Sequence, residues 1–212
     1  MNIQEMDILN ATLSGTYTNQ RVLAELSGHS LGVVNRSLRE LVKEGYLDED
    51  IRPTRKTRIE LEQKKPKRAI ILAAGFGMRM VPINTEIPKG LLERIIMQLQ
   101  EVGIREIHVV VGFLKEKYEY LIDEYDVDLV VNVDYATKNN LHSLRKVREY
   151  LENAYIIPCD IWCRKNPFRH HELYSWYMVS ELADNESNVR VNRKMELVTV
   201  PEDTVGNAMI GV

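Results

Sequence analysis

The run Ala73-Ala74-Gly75-Phe76-Gly77-Met78-Arg79, followed by Pro88-Lys89, holds the residue types that could do chemistry on a phosphate chain. Glycines at 75 and 77 let the backbone turn sharply and aim its N–H groups at anionic oxygens. Arg79 is spaced to reach the β- and γ-phosphates of a triphosphate, and Lys89 the α-phosphate. Cations there offset charge that builds during displacement. Two other glycine loops compete for the pattern. A dinucleotide fingerprint needs a third glycine where Met80 stands, and a Walker P-loop needs a Gly-Lys-Ser/Thr that is absent. The plain alternative, a tight turn after a buried strand, loses ground to the cations at 79 and 89.

These residues need elements to hold them. Residues 69–74 form a continuous apolar run, as for a strand covered on both faces. Residues 94–102 have helical spacing, with Ile95, Ile96, Leu99 and Val102 on one face. Residues 106–112 are strand-like, 114–125 helical, 128–133 strand-like, 141–151 helical, and 155–158 a fourth strand. Strand alternating with helix predicts an α/β fold: a Rossmann-like, mostly parallel sheet built of right-handed βαβ units. Such sheets bind ligands at the carboxyl ends of their strands. The chemistry is therefore expected around residues 74–79, Gly112, residues 134–140 and Asp160.

The region before this sheet has another rhythm. Residues 6–13 are apolar at helical spacing and end at Gly15. Thr18 or Asn19 can cap a second helix carrying Val22, Leu23 and Leu26, which Gly28 ends. Ser30 can cap a third, with Leu31, Val34, Leu38, Leu41 and Val42 on one face and Asn35, Arg36, Arg39 and Lys43 on the other. An acidic turn, Asp48-Glu49-Asp50, then leads into basic residues 52–58, expected to form a β-wing. This pattern resembles the winged helix-turn-helix domains of bacterial regulators. The resemblance implies a third helix in a DNA major groove, its basic face on phosphates and Asn35 at a base edge. A winged helix used for packing or for a homodimer is the other reading.

Charge and composition set the outer limits. The net charge of −3 over 212 residues points to neither nucleic acid nor an anionic membrane as partner of the whole chain. No apolar run has the length of a membrane span, and residues 1–5 lack a signal-peptide pattern. Cys159 and Cys163 are too few for a disulfide framework, which fits a reducing cytoplasm. Their spacing, with His170-His171, fits no common zinc site. Residues 51–68 hold eight basic and two acidic side chains, against four and eight in residues 1–50. This proline-marked basic stretch reads as a boundary, giving domains 1–62 and 63–212.

The run from Ala73 to Lys89 resembles the signature of the sugar-phosphate nucleotidyltransferase superfamily, A-A-G-x-G-x-R followed by P-K. Val111-Gly112-Phe113-Leu114-Lys115-Glu116, Tyr135-Ala136-Thr137-Lys138-Asn139-Asn140-Leu141-His142-Ser143-Leu144 and Pro158-Cys159-Asp160 resemble the bacterial CTP:phosphocholine cytidylyltransferases. The resemblance covers residues 67–212. It implies that Ala73, Ala74 and Gly75 line the nucleotide site, Gly77 shapes the phosphate loop, and Arg79 and Lys89 bind the triphosphate. It sets Asn139, Asn140 and Ser143 near base and ribose, and makes Asp160 a Mg²⁺ ligand, a hard cation suited to oxygen donors. A turn or helix cap is the alternative for Asp160, and a capped turn can hold together with ligand binding at Asn139 and Asn140. The implied reaction is attack of phosphocholine on the α-phosphorus of CTP, giving CDP-choline and pyrophosphate.

The match departs from the family in two places. After Pro88-Lys89-Gly90-Leu91-Leu92-Glu93 the family has a short turn of further residues, which this sequence lacks. Family members also continue well beyond Val212, where a second acidic metal ligand and part of the acceptor pocket lie. The stretch Asn185-Glu186-Ser187-Asn188 lacks an expected aromatic. Trp162, Trp176, Tyr174 and Tyr177 are available, each read as core or sheet packing, and Glu196 and Glu202 as solvent-exposed. Two alternatives stay open: a sugar 1-phosphate acceptor, and a winged-helix transcription regulator whose second domain senses a nucleotide.

Overall fold

The computed structural model describes residues 1–75, 89–113, 115–184, 187–192, 196–201 and 204–209, with 89 and 90 by backbone alone. The chain divides into two units, Met1–Lys65 with His171–Ser175, and Pro66–His170 with Trp176–Val212.

In the first unit, side-chain caps set the helix starts. Asn2 and Glu5 exchange hydrogen bonds in a capping box at the head of α1 (Ile3–Leu13). Asn19 accepts the N–H groups of Arg21 and Val22 to start α2 (Gln20–Ser27), and Gly28 ends it at φ 70°, where a Cβ would be strained. Ser30 caps α3 (Leu31–Lys43). Ile8, Leu9, Leu23, Val34 and Leu41 are fully buried between these helices. Each such side chain contributes roughly 1.5–3 kcal/mol. The expected three-helix arrangement is present.

The wing is not as expected. Among the described residues, 52–58 form one antiparallel bridge, Leu47 to Pro53, across a turn where the Asp48 carboxylate accepts the N–H groups of Asp50 and Arg52. Thr54 then caps a fourth helix, α4 (Arg55–Gln63). Thr57 and Leu61 explain the difference. Four residues apart, they are buried together, and the Thr57 hydroxyl donates to the Tyr46 carbonyl. In a strand, burying Thr57 would turn Arg55 to the same face. In the helix, Arg55, Lys56 and Arg58 all reach solvent.

The second unit begins with β1 (Arg68–Ala73), α5 (Lys89–Glu101), β2 (Glu106–Val111), a 3₁₀ turn (Lys115–Tyr118), α6 (Tyr120–Tyr125) and β3 (Asp128–Val131). It continues through α7 (Asn140–Lys146) to β4 (Ala154–Pro158). The four strands are parallel, in the order β3-β2-β1-β4. Alternate residues of β1 serve opposite faces. Ala69, Ile71 and Ala73 pack with Leu92, Ile95, Ile96 and Leu99 of α5 and with Leu121 of α6. Ile70, Leu72 and Ala74 pack with Leu144 and Val147. The predicted Rossmann-like parallel sheet is therefore the observed one.

Element ends differ from the pattern. The helix expected over 141–151 stops at Lys146, because Val147 leaves helical geometry as its side chain enters the core. Beyond β4, β5 (Val179–Asp184) pairs with β8 (Gly206–Met209) and β6 (Val189–Val191) with β7 (Leu197–Thr199), both antiparallel. The Val191 N–H, donating to Asn207 Oδ1 at 2.9 Å, links the two ribbons.

Candidate active site

Chain order leaves β1 in both directions, toward β2 and β3 on one side and β4 on the other. The strand order therefore switches direction between β1 and β4, the place where open α/β sheets bind ligands, outside the carboxyl ends of their strands. Leu72 pairs with Pro158, so Ala74 and Asp160 each lie two residues beyond that pair, past the ends of neighbouring strands. Ala73 and Ala74 are buried and Gly75 is exposed. Asp160 is half-buried in the turn after β4, and the preceding Cys159 N–H donates to the Leu72 carbonyl at 3.2 Å. Gly77, Arg79 and the side chain of Lys89 lie outside the described residues. The Lys89 backbone opens α5.

A second group forms where β2 and β3 end. Gly112 meets the Ala74 carbonyl and the Tyr135 side chain so closely that a Cβ there would lie 2.7 Å from each. Glycine is required by that approach. Asn132, fully buried past β3, donates its backbone N–H to Val111 O at 2.8 Å and its amide N–H to Ser143 Oγ at 3.0 Å. Its amide oxygen accepts the Asp134 N–H at 3.1 Å. The Asp134 carboxylate in turn meets His142 Nε2 at 2.9 Å and Lys146 Nζ at 3.2 Å. The His142 and Lys146 hydrogen bonds hold the Asp134 carboxyl below its ordinary value.

These ties fix the expected nucleotide residues. Asn139 caps α7 by accepting the His142 N–H at 3.4 Å, the capped-turn geometry anticipated for it. Asn140 begins the helix, and both asparagines are exposed. Ser143 is 3% exposed, its hydroxyl engaged by Asn132, so it sits beneath the loop. Asn132, and the pairing of Asp134 with His142, were missed in the sequence. The available signal was an asparagine interrupting a valine-rich strand end, since a buried polar group demands a partner.

Aromatic placement corrects one expectation. Trp176 packs beside Tyr155 and Tyr174 joins the helical core, its hydroxyl on Asp7. Trp162 and Tyr177, also read as packing, are instead 60% and 45% exposed. Glu196 is exposed, as expected; Glu202 lies outside the described residues. On α3, Arg36, Arg39 and Lys43 are exposed and Asn35 is half-buried. Arg39 Nε donates to the Asn35 carbonyl, and Lys43 makes a solvent-exposed pair with Glu40.

The resemblance to sugar-phosphate nucleotidyltransferases implies a divalent metal. The half-buried Asp160 carboxylate in the turn after β4 suits a hard cation that draws its other ligands from phosphate and water. Among the described residues no three His, Cys, Asp or Glu side chains converge as a metal site, zinc included. Burial pushes the Cys163 thiol up, and the neighbouring Arg94 partly offsets this. No helix among the described residues is long and apolar enough to cross a membrane.

Comparison with known proteins agrees with the fold. Residues 69–171 match the MobA-like NTP transferase domain, and residues 1–48 the winged helix-turn-helix DNA-binding domain. The chain belongs to the nucleotidyltransferases, with a winged helix-turn-helix domain ahead of its NTP transferase domain. It is 43% identical over 118 residues to choline-phosphate cytidylyltransferase of Streptococcus pneumoniae, covering 52% of each chain. It is 40% identical over 101 residues to 2-aminoethylphosphonate cytidylyltransferase of Lancefieldella rimae, covering 43% of this chain and 41% of that one. The solved structure of CTP:phosphocholine cytidylyltransferase from Streptococcus pneumoniae aligns with a TM-score of 0.57 at 34% identity, over 69% of each chain. The chain spans about half the length of the curated choline-phosphate relative.

Proposed function

We propose that the second unit transfers a cytidylyl group from CTP to phosphocholine, releasing pyrophosphate and CDP-choline. The observation that carries this reading is that the Ala73–Gly75 strand exit and the turn holding Asp160 both follow the paired Leu72 and Pro158 at the β1/β4 switch point. Its likeness to cytidylyltransferases supports the choice of nucleotide and acceptor.

In this reading Ala73, Ala74, Gly75 and Gly77 line the nucleotide, and Arg79 and Lys89 hold its phosphates. Asn139 and Asn140 face base and ribose, while Ser143 steadies them through Asn132. Asp160 holds Mg²⁺, which offsets negative charge on the phosphate oxygens when bound. A phosphocholine oxygen attacks the α-phosphorus of CTP, the bond to the bridging oxygen breaks, and pyrophosphate leaves with that electron pair. Positioning and charge neutralisation carry the reaction, without a covalent enzyme intermediate.

The test is pyrophosphate release from CTP, UTP, GTP, dTTP and ATP, each with phosphocholine, 2-aminoethylphosphonate or a sugar 1-phosphate. Release from CTP with phosphocholine supports the reading; preference for a sugar 1-phosphate overturns the acceptor. Folded Arg79→Ala, Lys89→Ala and Asp160→Ala variants lose release. Wild-type turnover in the Asp160 variant would sink its metal role.

A second reading concerns the first unit, where the domain match over residues 1–48 joins exposed Arg36, Arg39 and Lys43 on α3. We propose that this face binds DNA phosphates and that Asn35 reaches a base. A homodimer would present two such helices to half-sites one DNA turn apart. Sedimentation with and without DNA reads that state. Operator affinity that shifts with CTP or CDP-choline, without turnover, would make the chain a nucleotide-sensing regulator. A reducing cytoplasm suits both readings.

A further inference from the structure

We infer that Arg94 is a positioning residue that ties the segment carrying Asp160 to the helix that begins at Lys89. The inference rests on the nucleotidyl-transfer reading above. Arg94 Nε and Nη2 donate to the Cys163 carbonyl oxygen at 3.2 and 3.0 Å, and Nη2 also to the Arg164 carbonyl at 3.0 Å. Gln98 Nε2, one turn on, reaches the same Cys163 oxygen at 3.3 Å. Three donor atoms thus converge on one backbone carbonyl, which fixes that carbonyl against α5. A turn further, Asn166 Nδ2 donates to the Gln98 carbonyl at 2.7 Å and to Glu101 at 2.9 Å. Asn166 Oδ1 accepts the Phe168 N–H at 3.0 Å, and Phe168 is buried in the core. Residues 94, 98 and 101 are neighbours on one helix face. They form a polar stripe beside the apolar one of Leu92, Ile95, Ile96 and Leu99.

The consequence falls on Asp160. The segment is fixed at one end by Cys159 on the Leu72 carbonyl and at the other by Cys163 on α5. Asp160 lies between these anchors. Removing Arg94 leaves the β1 anchor and loosens the α5 anchor, so the carboxylate loses its register with the start of α5. The Arg94 guanidinium also lies 5.6 Å from the Trp162 ring centroid, within cation–π range, and so adds a contact to the same segment. Arginine suits this role because its planar fork addresses two carbonyls at once, while lysine offers one compact charge.

The experiment combines amide hydrogen exchange with steady-state kinetics on the full chain, comparing wild type, Arg94→Met and Arg94→Lys. Arg94→Met exchanges faster over residues 159–168 while β2 stays protected. Displacing a reacting group by an ångström costs about 10²-fold, so its kcat falls about 10- to 100-fold. Its KM for CTP stays within about threefold, because uniform binding is untouched. Arg94→Lys recovers part of kcat. Unchanged exchange over 159–168, or wild-type kcat in Arg94→Met, would overturn the inference. If Arg94→Met does not fold, Gln98→Leu removes one of the three donors. Smaller shifts of the same sign then support the tie, and none overturns it. A wild-type chain that releases no pyrophosphate fails the reading of function. The exchange result then decides the tie alone, faster exchange supporting it and unchanged exchange overturning it.

Discussion

The side-chain amide of Asn132 donates to the hydroxyl of Ser143 at 3.0 Å, with both residues buried. This bond joins the end of β3 to α7 beneath the exposed Asn139 and Asn140. Leaving one partner unsatisfied costs about 1–3 kcal/mol. Ser143→Ala and Asn132→Ala each destabilise the fold by about that amount, read by urea unfolding. Their double variant shows coupling of about 0.5–3 kcal/mol. The same variants raise KM for CTP more than they lower kcat. Strict additivity in unfolding would mean that the bond does not form.

Gly112 makes a sharper prediction. Gly112→Ala forces a methyl group within 2.7 Å of the Ala74 carbonyl and Tyr135. Overpacking of this kind costs about 1–3 kcal/mol. The thermal midpoint falls, and nucleotide affinity weakens because the displaced atoms adjoin Gly75. An unchanged midpoint would refute the close approach.

Asp134 carries a pH prediction. The His142 and Lys146 hydrogen bonds depress its folded value below the ordinary 3.8. A carboxyl depressed on folding stabilises above its unfolded value, and that stabilisation is lost as pH falls through the folded value. The tie is therefore intact at neutral pH and fails in acid below 3.8. Carbon-13 titration of the carboxyl finds a midpoint below 3.8, and His142→Gln moves it upward. A wild-type midpoint at or above 3.8 would contradict the geometry.

For the first unit, removing a cation that neutralises a DNA phosphate lowers the salt slope of binding by about 1. Arg36→Ala and Arg39→Ala each show this drop, while Asn35→Ala weakens the preferred site more than random DNA. Slopes that match wild type in both arginine variants would remove α3 from the interface.

The parallel sheet was legible because four apolar runs alternate with helical spacing, and that alternation permits few topologies; the strand order that makes the switch point was not. The placement of Ala74, Gly75 and Asp160 followed from strand ends, while their roles, and that of Ala73, came from the family resemblance. Residues 52–58 misled because a basic run shows no periodicity of its own, and burial of Thr57 and Leu61 decided its form. The Asn132–Ser143 and Arg94–Cys163 ties were not legible, since each spans residues distant in sequence and rests on partners that no local pattern shows. Trp162 misled because aromatic type predicts burial on average, while its place after Asp160 leaves it exposed.

The most direct test of the central claim is ³¹P NMR of the full chain with CTP, phosphocholine and Mg²⁺. The account predicts CDP-choline and pyrophosphate growing in equal amounts as CTP and phosphocholine decline together. CTP that stays intact, or that is hydrolysed while phosphocholine persists, would contradict it.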